Sequence, residues 1–143
     1  MTESDKWDII IQLDEELLKG GAMISEWCTF LIRNADIAYV HEAYIASILT
    51  SASGIETHLR YEFSYQGEQL TFYKLIELSP IPKSLKTDLH KLRRYRNKWV
   101  HVKDPCDDDV LLEKPSCVEN ELENMALFAL KALRKTVYLN PFI

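Results

Sequence analysis

The sequence predicts an all-α fold, an up-and-down bundle of about five to six helices, and three observations carry that expectation. Apolar residues recur at helical spacing almost everywhere between turn signals, and period-two runs are short. Punctuation is sparse, with four glycines in 143 residues, and falls at "GG" (Gly20), "RNAD" (Arg33), "YQGEQ" (Tyr65), "SPIP" (Ser79) and "DPCDDD" (Asp104). At this length one domain covering residues 1–143 is sufficient, because a single core can be buried without staples.

Each element follows from its own pattern. Trp7, Ile10, Ile11, Leu17 and Leu18 form a first helix that Gly20 and Gly21 end. A short apolar segment runs from Met23 to Ile32. From about Asp36 to Phe63 the longest helix is expected, with Ile37, Tyr44, Ile48, Ala52, Ile55 and Leu59 on one stripe. Gly54 within it either weakens the helix by up to about 1 kcal/mol or lets a neighbour approach closely. Gln69 to Leu78 is a shorter helix closed by Pro80 and Pro82, and the next starts near Pro82, where proline in the first turn costs little. The last begins at "SCVE", where Ser116 and Glu119 have capping-box spacing, and runs to Tyr138 with Lys131, Arg134 and Lys135 complementing its dipole.

Composition excludes several classes of protein. No apolar run approaches the roughly 20 residues that cross a bilayer, and "MTESDKWD" carries acids where a signal peptide is basic, so a cytoplasmic protein with no membrane partner is expected. Cys28, Cys106 and Cys117 are odd in number and widely spaced, without a CxxC or histidines at ligand spacing. They read as reduced thiols, with neither a metal site nor a cofactor expected. The net charge of −5 hides a marked asymmetry. Eight Lys or Arg fall between Lys83 and Lys103 against the single acid Asp88, and "DPCDDD" follows at once.

The helix that carries this basic window contains "RRYRNKWVHV". Leu85, Leu89, Leu92, Trp99 and Val100 share its apolar stripe, and Arg96 falls in the middle of it. An unpaired guanidinium is too costly to bury, so a carboxylate or phosphate must meet it, or the stripe opens there into a cleft. Arg93, Asn97 and His101, four apart, lie on an adjacent face. Arginine offers a planar fork of donors suited to a phosphate, histidine exchanges protons near neutrality, and asparagine can orient either. This set fits metal-free RNA cleavage by the 2′-hydroxyl, with Arg93, Arg94, Lys98 and Lys103 along the phosphate path. One copy lacks a second acid or base, which a symmetric homodimer supplies. His41, His58 and His90 are scattered and read as surface or core-edge residues.

"RNKWVH" resembles the signature of the HEPN superfamily, an arginine, commonly a polar residue next, and a histidine after four to six positions; Arg96, Asn97 and His101 match it. The family's fold is a helical bundle with the motif near the end of a late helix and one long helix after it. Taken as architecture the resemblance covers Asp36 to Tyr138, leaving residues 1–35 as a variable N-terminal helical addition. It implies an endoribonuclease that needs no metal or cofactor, active as a homodimer with two motifs facing across a cleft. It also implies a role as toxin or effector in a toxin-antitoxin or phage-defence system, with an antitoxin such as a nucleotidyltransferase-like protein as partner. Family members often carry an acid on an earlier helix near the motif, and Glu56 in "SGIETHLR" is the candidate. Some members are non-catalytic, so the alternative is a helical adaptor binding RNA, a nucleotide or a protein partner. One toxin branch has a partner-modified tyrosine two positions after the histidine, where this chain has Lys103.

Overall fold

The computed structural model describes residues 1–65 and 67–141. Among them are seven helices and no strand: α1 (Glu3–Leu17), α2 (Glu26–Val40), α3 (Tyr44–Glu62), α4 (Phe72–Leu78), α5 (Lys83–Val100), α6 (Asp109–Glu113) and α7 (Pro115–Val137). The all-α expectation is met, and no helix among the described residues is long and apolar enough to cross a membrane.

The central layer is α3, which packs against α2 on one side and α7 on another, with α5 and α4 also against it. Ile48, Ile55 and Leu59 of α3, Leu89 and Leu92 of α5, and Leu130 and Leu133 of α7 are fully buried, each stabilising the fold by about 1.5–3 kcal/mol relative to exposure. Gly54 serves the close approach. A Cβ there would lie 3.0 Å from Leu133 Cδ1 and 3.7 Å from Leu31 Cβ, and the Cys28 thiol donates to the Gly54 carbonyl at 3.4 Å.

Several boundaries differ from the expectation, each for a physical reason. Thr2 starts α1 by accepting from the Asp5 amide while the Asp5 carboxylate accepts from the Thr2 amide. The "RNAD" break does not exist. Helix α2 runs through it because the Asn34 amide donates along the helix to the Phe30 carbonyl, and Asp36 turns inward to an ion pair. The break lies instead at His41–Ala43. Ala43 N–H donates to Ala38 O and Glu42 N–H to Tyr39 O, a Schellman closure with Glu42 at φ 64° where glycine is usual. That conformation aims the Glu42 carboxylate at the Lys6 ammonium, 3.2 Å away. The boundary drawn after residue 35 consequently falls inside α2.

Residues 69–71 are not helical. Arg60 ties that strand of chain down by donating to the carbonyls of Glu68 (3.0 Å) and Leu70 (2.7 Å), and Thr71 then caps α4. The Ser116–Glu119 capping box does not form, because α7 begins earlier, with Pro115 in its first turn. The acidic loop expected after Lys103 contains the short α6. Val100, expected on the buried stripe, is exposed at the last position of α5.

The first 35 residues are pinned into the bundle by charge. Arg134 of α7 is 1% exposed and donates to Asp14 of α1 (Nε–Oδ1, 2.8 Å) and bidentately to Asp36 of α2 (3.0 and 2.8 Å). Tyr138 donates to the same Asp14 oxygen at 2.7 Å. Burial pushes the Asp36 carboxyl up, against the pull of Arg134, so the two-pronged geometry offsets only part of the desolvation. Lys6 is likewise buried, between the Tyr39 and Tyr44 rings, and donates to the Tyr44 hydroxyl at 2.7 Å.

Candidate functional site

Helix α5 has leucines at 85, 89 and 92 that anchor its first three turns in the core, and the last two turns carry the motif. Beyond Leu92 the buried stripe thins out. Tyr95 and Trp99 are half-buried against the core, and Arg96 between them has 21% of its side chain exposed. The guanidinium meets a carboxylate: Arg96 Nη1 donates to Glu56 Oε1 of α3 at 2.8 Å. Its Nη2 and Nε donate to Asn97 Oδ1 at 2.8 and 3.3 Å, and its carbon lies 5.3 Å from the centre of the Phe72 ring of α4. Glu56, the acid singled out on an earlier helix, is thus in direct contact with Arg96, and Asn97 completes the clamp.

His101 caps the carboxyl end of α5, where its backbone N–H donates to the Asn97 carbonyl at 2.8 Å. It borders a groove of about 830 Å3 between the end of α5, the 102–109 segment, α6 and the start of α7. Asn97, Arg94, Lys98 and Lys103 line the same groove, over an apolar floor that includes Trp99, Val110, Leu111 and Val118. Arg96 is not on its wall. Its side chain is directed towards α3 and α4, so Asn97 is the residue shared by the arginine clamp and the groove.

Of the four basic residues expected along a phosphate path, three line the groove. Arg93 does not, because its guanidinium stacks 5.2 Å from the Tyr73 ring centre and its Nε meets His90 Nδ1 at 3.3 Å. Lys98 leans over Tyr95 and Trp99, at 5.6 and 5.9 Å from the ring centres. Burial pushes the Tyr95 phenol up, so it stays protonated at neutral pH.

Residues not singled out from the sequence also line the groove. Asp104, Asp107, Asp108, Asp109 and Glu121 bring five carboxylates to it, against three cations. The only sign of them in the sequence was the acidic run itself, and nothing local tells that it folds back beside the basic helix that precedes it. Phe72, the platform under Arg96, gave no sign at all. Among the described residues no group of three or more His, Cys, Asp or Glu side chains is placed to hold a metal ion.

Chemically, the clamp fixes the position of a permanently charged fork that keeps 21% of its side chain exposed. The groove adds an exposed imidazole on the next turn. No protein-family model, curated protein or solved structure matches the chain.

Proposed function

We propose that the chain is a metal-independent endoribonuclease of HEPN type, acting in the cytoplasm as a homodimer and serving as the toxin or effector of a bacterial toxin-antitoxin or phage-defence system. The observation that carries this reading is the clamp of Arg96 by Glu56 and Asn97, one helical turn before His101 at the groove. In the reaction His101 accepts the proton of a ribose 2′-hydroxyl, and the 2′-oxygen attacks the adjacent phosphorus. Arg96 offsets the charge that builds on the phosphoryl oxygens. The bond to the 5′-oxygen breaks, and an acid protonates that oxygen, leaving a 2′,3′-cyclic phosphate and a 5′-hydroxyl. Within one copy Arg96 and His101 are directed to different sides of Asn97, so a second copy across the groove is the source of the acid. An antitoxin, for which a nucleotidyltransferase-like protein is the model, would cover the same face.

Incubation of RNA with the purified chain in EDTA tests this. The wild type is expected to leave cyclic-phosphate ends, and His101→Ala to reduce the rate by at least about 100-fold with its melting temperature unchanged. Equal cleavage by both proteins would defeat the assignment. Intact RNA at every pH tried would favour a second reading, a non-catalytic adaptor. That reading is favoured by the five carboxylates in the groove, which outnumber the cations and suit a protein partner better than a bare phosphate chain.

A further inference from the structure

Helix α2 packs on α3, α7 and α1 and touches neither α5 nor α6, so its outer face lies away from the groove. That face carries apolar side chains no other helix covers. Trp27 is 80% exposed and Phe30 60% exposed, and Met23, just before the helix, is 63% exposed. A face this apolar on the surface calls for an occupant.

The charges around it indicate which occupant. At about 100° per residue, Glu26 and Arg33 fall on one flank of Phe30, and Trp27 and Asn34 on the other. Glu26 and Arg33 are both exposed, and neither makes an ion pair or side-chain hydrogen bond among the described residues. Seven residues apart, they stand about 10 Å from each other along the helix, too far to pair within one copy. Their midpoint is beside Phe30. A two-fold axis there, perpendicular to the helix, sets two copies of α2 antiparallel and keeps matching flanks together. Glu26 of each copy then meets Arg33 of the other, twice, and the two Phe30 rings meet on the axis. A parallel arrangement leaves all four charges unpaired.

We propose that α2 is a self-association helix: two copies of this chain pair antiparallel through the Trp27 and Phe30 face, with reciprocal Glu26–Arg33 contacts at the rim. This interface is separate from the groove and does not depend on the ribonuclease reading. If the groove also joins two copies, each chain carries two self-complementary faces, and assemblies larger than a dimer form.

Charge reversal tests the geometry in the full-length chain, with mass read by sedimentation at low salt over a range of concentrations. Glu26→Arg alone and Arg33→Glu alone each place like charges at both rim contacts, and each is expected to weaken association by at least about tenfold. Mixing the two variants is expected to restore it, because each then supplies the charge the other lacks, and the double variant Glu26→Arg/Arg33→Glu is expected to associate like the wild type. Both positions are exposed, so circular dichroism should be unchanged. Phe30→Asp is expected to abolish the interface, and a groove-mediated dimer, where present, remains as a two-chain species. A wild type that is monomeric throughout overturns the proposal. So does mass unchanged by the single reversals, or a mixture that associates no better than its components.

Discussion

Two arginines bridge helices in this molecule, and their settings are opposite. Arg134 and Arg96 each use three N–H groups in side-chain hydrogen bonds at close to 3 Å. Arg134 is sealed, with two carboxylates around it and 1% of the side chain exposed. Arg96 has one carboxylate, a neutral amide and 21% exposure. A guanidinium surrounded by Asp14 and Asp36 has no charge left to offer a ligand and serves to join α1, α2 and α7. One balanced by Glu56 and steadied by Asn97 can exchange the amide for a phosphate oxygen without stranding a charge. Pairing alone therefore does not separate an arginine that only joins helices from one free to meet a ligand. The kind of partner and the access to solvent do.

The largest effect is expected from Arg134→Met, which leaves the Asp36 carboxyl nearly buried beside Asp14 without its partner. Unfolding by urea should show a loss of about 3–5 kcal/mol, with cleavage per folded molecule unchanged. Adding Asp36→Leu should recover much of that loss, because most of it is the stranded carboxylate. A cost below about 1 kcal/mol for the single change would mean that the network is as replaceable as a surface pair.

Arg96→Lys changes the more exposed of the two arginines. It keeps the charge and removes the fork, so cleavage should fall about 10- to 100-fold while stability moves by less than about 1 kcal/mol. Undiminished cleavage would reduce Arg96 to a point charge and remove the reason for its clamp. Lys6 is another buried cation. Burial disfavours its ammonium, yet its hydrogen bonds to Tyr44 and Glu42 outweigh this and raise its pKa. Its carboxylate partner Glu42 is largely exposed. Lys6→Met should therefore cost about 1–3 kcal/mol, because water takes over Glu42 and only the neutral, buried Tyr44 hydroxyl loses its donor; a loss at the upper end of that for Arg134 would contradict the role given to the stranded charge.

These differences also show what one sequence can convey. Arg96 was conspicuous because it interrupts an apolar stripe on its own helix, whereas Glu56 was a candidate only through the family resemblance, since the expected helix 36–63 carries four acids and its own pattern favours none of them. Arg134 lies in an equally apolar stretch, yet it read as a complement to the helix dipole, since its partners are 98 and 120 residues away and no local pattern ties them together. The break at His41–Ala43 was illegible for a related reason. Its left-handed residue is a glutamate, and what favours that conformation there is a contact with Lys6 from another helix. The all-helical class and the helices carrying residues 83–100 and 117–137 follow from periodicity, which is local.

The smallest effect concerns a buried titratable group with no partner. His58 of α3 is 4% exposed, and its Nδ1 has no hydrogen bond among the described residues. Burial lowers its pKa below the ordinary 6.5, and Glu62 one turn on recovers only part of that. Above pH 6.5 the ring is neutral in both the folded and unfolded chain, and its contribution to stability is fully present. As the pH falls through 6.5 towards the lower folded value, the unfolded chain takes up a proton that the folded one refuses, and stability declines by up to about 1.4 kcal/mol per pH unit. His58→Leu should flatten that slope, measured as the change in urea midpoint between pH 7.5 and 5.5, whatever it does to stability at either pH. An equal slope in both proteins would place the acid sensitivity elsewhere. Where Arg134 is buried and stays charged because two carboxylates receive it, burial biases His58 towards the neutral ring, because its Nδ1 has no partner among the described residues.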